Sequence, residues 1–233
     1  MFYKLSNTTN LQDIEAAFDA RFKYPLLYRE SSLINGLSEQ SLPVITMDDK
    51  RTIDYAIWGI LPQNYQDDWD KFQNFTNTLN VSLDTLHKLD WIGDIINTQR
   101  CIIIVSGFFT SFLYKGEIHP FYVHDKHKKP FALAGIYSRL EDGFLSVSIV
   151  VTDAPNELAE VHNLGKDFPF ALNANNYEDW LIEDNDFLNN GIKKIKPLDL
   201  KAHAISKEFY KNNIIFDTIL EPAHYDNLPV FAL

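Results

Sequence analysis

The chain has 233 residues, 45% of them hydrophobic and 14% aromatic, enough to bury a substantial core and too apolar for a disordered segment. The 21 basic residues set against 32 acidic ones give a net charge of −11, which argues against strong non-specific nucleic-acid binding, because that rests on phosphate neutralisation by Lys and Arg. One cysteine excludes an internal disulfide and a cysteine-based metal knuckle.

The N-terminus, M-F-Y-K-L-S-N-T-T-N, turns polar after five residues and lacks the apolar core of a signal peptide. No run approaches 18 apolar residues, so no membrane span is expected, and the reading is cytoplasmic. Leu11, Ile14, Phe18 and Phe22 recur at helical spacing over 11–23, with Asn10 as N-cap. Strands are predicted at 43–46 and 52–60, the second with Ile53, Tyr55 and Ile57 on one face. Residues 64–78 read as a loop or short helix, and 91–96 as a short helix. The acidic pairs Asp48–Asp49 and Asp67–Asp68 read as solvated turns.

Further strands are predicted at 101–106, 119–124, 131–137 and 144–152, with turns at H-D-K-H-K-K-P and L-E-D-G-F. Helices are predicted at 155–162, 176–182, 185–190 and 206–211, before an extended tail. Tight turns between strands, with helices mostly at the ends, predict an α+β fold. Its sheet is mostly antiparallel or barrel-like with peripheral helices, in a single domain over 1–233.

Chemistry is sparse. Cys101 opens the apolar strand C-I-I-I-V-S-G-F-F-T-S-F and reads as a buried structural cysteine. His119, His124 and His127 in H-P-F-Y-V-H-D-K-H carry metal-ligand residue types, yet the lysine-rich turn favours solvated side chains, so no metal is assigned. No G-x-S-x-G, phosphate loop or dinucleotide fingerprint occurs. His162 ends a predicted helix, either as a residue favoured by the helix dipole or as a general base at the rim of a cleft.

Taken in order, several segments resemble the SOS-response-associated peptidase (SRAP) family. I-W-G-I-L-P at 57–62 resembles its W-G-L-I-P, and T-L-N-V-S-L-D-T at 78–85 its T-L-N-A-R-x-E-T. Q-R-C-I-I-I-V-S-G-F-F-T-S at 99–111 resembles R-R-C-L-I-P-x-S-G-F-Y-E-W. P-F-A-L-A-G-I-Y at 130–137 is similar to F-A-G-L-W, V-T-D-A-P-N at 151–156 to T-T-x-A-N, and V-H-N-L-G-K-D-F-P at 161–169 to I-H-x-R-M-P. The resemblance covers nearly the whole chain.

The resemblance implies binding of single-stranded DNA containing an abasic site. In that family a cysteine after the initiator methionine closes a thiazolidine ring on the sugar aldehyde, and autocleavage exposes its amine. A glutamate and a histidine move protons, an asparagine orients the groups, and arginines hold phosphates. Carried over by position, the nucleophile falls on Phe2 and the glutamate on Thr110, while Asn80 and His162 are retained. The arginines fall on Ser82 and Asp167, and the neighbouring tryptophan on Ser111. Lys4, Asn80, Ser82, Tyr65, Trp58 and Lys166 are the expected nucleic-acid contacts.

Losses concentrated at the site, in an intact scaffold, imply a pseudoenzyme without cross-linking or autopeptidase chemistry and without a cofactor. Its expected partner is weakly bound single-stranded DNA or another protein. The alternative activity is a Schiff base formed on abasic DNA by the Met1 amine or by Lys4, with His162 assisting.

Overall fold

The computed structural model describes residues 2–86, 90–93, 95–182, 191–211, 218–229 and 231, with the side chain of residue 90 left out. The strands in chain order are β1 (Lys4–Asn7), β2 (Arg21–Phe22), β3 (Ser31–Asn35), β4 (Ser41–Thr46), β5 (Thr52–Trp58), β6 (Asn80–Ser82), β7 (Arg100–Val105), β8 (Gly107–Tyr114), β9 (Glu117–Asp125), β10 (Phe131–Arg139), β11 (Leu145–Asp153), β12 (Asp167–Pro169), β13 (Ala171–Leu172) and β14 (Leu200–Ala204). The helices are short: α1 (Leu11–Phe18), α2 (Trp69–Phe75), α3 (Asp90–Gly93), α4 (Ile95–Thr98), α5 (Asn156–Ala159) and α6 (Tyr177–Trp180).

The expected α+β class holds, and most strand pairs are antiparallel. One sheet has the order β14-β9-β8-β1-β3, the other β12-β11-β10-β7-β4-β5-β2. A parallel pairing of β11 with β5 joins the ends of β5-β4-β7-β10-β11. Those five strands therefore form a ring with the first sheet and several short strands set against it, rather than a simple barrel.

Alternation along the ring strands explains their continuous apolar sequences. Cys101, Ile103 and Val105 of β7 enter one core with Leu133 and Tyr137 of β10 and with Phe108 and Val123 of the first sheet. Ile102 and Ile104 enter a second core with Ala132, Ala134, Ile14 and Trp180. A strand buried on both faces has no polar side to show. On β5 the division differs from the predicted single face: Ala56 and Trp58 join the first core, Ile53 the second.

Asn10 caps α1, its Oδ1 accepting from Asp13 N at 2.9 Å, but the helix stops at Asp19, whose φ of 48° is left-handed. Phe22, at helical spacing in the sequence, lies in β2 instead. The predicted helix over 155–162 is a single turn, α5, and the one over 206–211 is a 3-10 turn at Lys207–Tyr210. The helix predicted at 185–190 lies outside the described residues. Among the described residues, no helix is long and apolar enough to cross a membrane.

The stretch that opened at Cys101 is two strands. β7 belongs to the ring, and at Ser106–Gly107 the chain leaves it so that β8 joins the other sheet. Gly107 is placed by contact: a Cβ there would strike Cζ and Oη of Tyr122. That phenol is held by Ser6 Oγ at 2.8 Å. This crossing carries Phe109, Thr110 and Ser111 to a cleft.

Candidate functional site

A cleft of about 170 Å³ opens where β1, β8 and the loop after α5 converge. Phe2, Lys4, Thr110 and His162 line it, together with Asp167 and the aromatic residues Phe209 and Tyr210. β1 pairs with β8 through Leu5↔Phe108 and Ser6↔Gly107, which sets the start of the chain against Thr110. Asn163 clamps the other side: its Oδ1 accepts from Leu113 N at 2.8 Å and its Nδ2 donates to Leu113 O at 2.9 Å. His162 is thereby held against the strand that carries Thr110.

The Thr110 hydroxyl and His162 Nδ1 are 2.5 Å apart. His162 packs edge-on to Phe168, with ring centroids 5.3 Å apart, and burial pushes its pKa below 6.5 against the opposing influence of the Asp167 backbone. Its buried Nε2 makes no hydrogen bond of ordinary geometry. A neutral imidazole beside a hydroxyl can accept or donate one proton, and the Asp167 carboxylate, in the same cleft, favours the protonated ring without outweighing burial.

Asn80, on β6, reaches the same corner from below. Its Nδ2 donates to Phe2 O at 2.6 Å, while its buried Oδ1 lacks a hydrogen-bond partner. Phe2 is 5% exposed and stacks edge-on against Phe108 at 5.2 Å. The benzyl side chain therefore belongs to the core as well as to the cleft wall. The one thiol of the chain, Cys101, is fully buried in the first core, and burial pushes its pKa upward.

Lys4 is half-buried, and desolvation lowers its pKa. Its ammonium sits 4.2 Å from the centre of the Phe209 ring, a cation–π contact. Phe209 in turn stacks on Phe109 at 4.6 Å. Tyr210 donates to or accepts from Ser111 Oγ at 2.7 Å, and burial pushes its phenol pKa up to about 12.

The cleft brings together six residues singled out from sequence, Phe2, Lys4, Thr110, Ser111, His162 and Asp167, with Asn80 joined through the Phe2 carbonyl. The remaining expected contacts are elsewhere. Trp58 is 0% exposed, its indole N–H donating to Leu79 O at 3.0 Å, so it presents no face to a base. Tyr65 packs on Phe72 and donates to Asp68 O at 3.0 Å, outside the cleft. Ser82 lies on β6 opposite Val151, also outside it. Lys166 is exposed between two cleft residues, Gly165 and Asp167. Sequence reasoning missed Tyr3, Phe209 and Tyr210; the last two arrive from about a hundred residues downstream with no local motif.

The sequence matches a family model described as SOS response associated peptidase (SRAP) over residues 1–212. An abasic site processing protein of Saccharomyces cerevisiae is 22% identical over 127 residues, covering 54% of this chain. That alignment takes in 34% of the yeast protein, about a third of its length. A crystal structure of a protein from Bacteroides thetaiotaomicron superposes with a TM-score of 0.81 at 23% identity, covering 95% of this chain and 100% of that one. A protein from Bordetella bronchiseptica gives a TM-score of 0.70 at 18% identity, with coverages of 88% and 99%. A phage-related protein of the same organism gives 0.61 at 15%, with coverages of 87% and 93%. These structural likenesses establish the fold.

Proposed function

Because the chain belongs to the SOS response associated peptidase family, we propose that it is a member without cross-linking chemistry, whose cleft binds single-stranded DNA weakly and reversibly. The observation that carries this reading is the pairing of Thr110 with His162 at 2.5 Å beside the buried Phe2 ring. At the positions the family resemblance gives to its acid and its nucleophile stand a hydroxyl and a hydrocarbon. Neither a thiazolidine nor an acid-assisted proton transfer can be built from them.

Ligand-binding groups persist. Asn80 Oδ1 is a buried polar atom with unused hydrogen-bonding capacity, which is costly unless a ligand or water takes it up. Tyr210, 42% exposed, offers a stacking face, worth roughly 1–3 kcal/mol per base. Lys4 and Lys166 offer two cations near the cleft, against Asp167. The yeast relative's description as an abasic site processing protein is consistent with a DNA ligand. The single, buried cysteine accords with a reducing compartment such as the cytoplasm.

Fluorescence anisotropy with labelled single strands, intact and abasic, tests the binding. Binding to both is expected at low salt, with a logarithmic salt slope near −1.4 if both lysines contact phosphate, at roughly −0.7 per contact. No binding to either strand at low salt removes the DNA ligand from this reading.

A second reading rests on Lys4. Its half-buried amine, with a pKa lowered by desolvation, shares the cleft with His162. Condensation with a sugar aldehyde would form a carbon–nitrogen double bond and release water. Borohydride reduction followed by mass spectrometry would trap that imine, and absence of the trapped adduct eliminates this reading.

A further inference from the structure

A second cavity, of about 380 Å³, opens beside β9 and β14. His203 pairs with Tyr122 and Lys201 with His124, so His124 and His203 occupy the same sheet face on neighbouring strands. There His124 Nε2 lies 3.3 Å from His203 Nδ1. His119 is five residues before His124 on β9, hence on the opposite face, and packs edge-on to Tyr225.

The other two ring nitrogens fix the tautomers. His124 Nδ1 is 2.7 Å from Asp125 O, and His203 Nε2 is 2.8 Å from Leu220 O. A carbonyl oxygen only accepts, so each of those nitrogens carries a proton. Unless one ring takes up an extra proton, the facing nitrogens both present lone pairs. Two acceptors do not hold each other at that distance; a cation between them does.

We infer that His124 and His203 form an open, two-histidine site for a divalent transition metal of the zinc class. A metal–imidazole bond of about 2.0–2.1 Å with a tetrahedral angle places two ligand nitrogens about 3.4 Å apart, close to the separation found. Each ring is oriented by an N–H donated to a backbone carbonyl, which is how metal-ligating histidines are fixed. Imidazole suits zinc, nickel and copper over calcium or magnesium.

The surroundings define the rest of the site. Asp13, Ser106 and Thr8 share the cavity wall, and Lys128 brings an opposing positive charge. The Asp125 carboxylate is turned to the backbone, accepting from His127 N at 2.7 Å and Lys129 N at 3.2 Å. Among the described residues, no third His, Cys, Asp or Glu completes a cluster. Solvent or a small ligand therefore fills the remaining positions, and binding is reversible. The site is distinct from the Thr110–His162 cleft; Phe109 of the cleft and Tyr122 of this cavity touch ring to ring at 5.3 Å.

Zinc titration of the full chain at about pH 7.5, followed by calorimetry and by the ring nitrogen signals of the histidines, tests this. One saturable equivalent is expected, with two of the seven histidines shifting on zinc addition. His124→Gln and His203→Gln should each weaken binding beyond the roughly 10–100-fold that loss of an outer-shell partner costs, while His127→Gln leaves it unchanged. Binding should fall at about pH 5.5, where protons compete for the same lone pairs. The wild-type histidine signals decide the matter even if a variant misfolds. No saturable zinc uptake, shifts confined to other histidines, or a pair that responds to pH but not to zinc would each overturn the inference.

Discussion

Thr110 Oγ1 and His162 Nδ1, 52 residues apart in sequence, meet at 2.5 Å in the wall of the cleft. The contact joins β8 to the loop after α5 and gives the buried imidazole its one hydrogen bond to a side chain. Thr110→Val keeps the shape and removes that bond, leaving the buried Nδ1 without its hydroxyl partner. A loss of about 1–3 kcal/mol in unfolding free energy is expected, read from urea midpoints. Thr110→Ser should lie within about 1 kcal/mol of wild type, because the hydroxyl remains.

Stability should fall on mild acidification. Burial lowers the pKa of His119, His162 and His203 below 6.5 in the folded protein. Below that value the unfolded chain binds more protons than the folded one, so stability decreases as pH falls from about 6.5 through the folded pKa values. Calorimetric melting between pH 7.5 and 5 should show a declining Tm, and His162→Gln should flatten part of the slope. A Tm independent of pH over that range contradicts this. Carboxylates such as Glu15, held low by the Phe22 backbone N–H, act only in a separate, more acidic window.

Arg100 is fully buried, and its guanidinium gathers carbonyls from α4, from the end of α6 and from the turn that follows α6. It donates to Trp180 O at 2.7 Å, to Asn97 O at 3.1 Å, and to Ile96 O and Ile182 O. Arg100→Met would fill similar space while stranding those acceptors. Destabilisation of at least about 1–3 kcal/mol is expected in chemical denaturation. Arg100→Lys should recover little of it, since an ammonium cannot reproduce the planar fork.

Gly107→Ala tests the crossing from β7 to β8. The added methyl would press into the Tyr122 ring, which the Ser6 hydroxyl holds in place. Overpacking of this kind costs about 1–3 kcal/mol. At about 2–4 °C per kcal/mol for a chain of this size, the Tm should drop by several degrees. A second substitution, Tyr122→Leu, should remove much of the clash and show non-additivity with the first.

Local pattern made α1 readable at its start, where Asn10 and the spacing of Leu11 and Ile14 both point to a cap and a helix. It failed at the end, because Phe22 continues the spacing while the left-handed turn at Asp19 breaks the chain into β2. The strands β7, β9, β10 and β11 were legible from apolar runs between turn residues. β8 was not, since the apolar run continues through Ser106–Gly107 while the backbone changes sheet. In the cleft, Phe2, Thr110, Asn80 and His162 were legible by position in the family motifs. Tyr210 and Phe209 arrive through tertiary packing, and His203 meets His124 only through the β9–β14 register. Trp58 shows the opposite failure: a motif residue assigned to the surface whose role is to fill the core.

In the proposed function this cleft holds DNA without bonding to it. Intact-protein mass spectrometry after incubation with an abasic single strand, without reductant and under denaturing conditions, tests it most directly. The wild-type protein should appear at its unmodified mass, while Phe2→Cys combined with Thr110→Glu restores the missing groups and serves as the comparator. A wild-type adduct that survives denaturation would contradict the account.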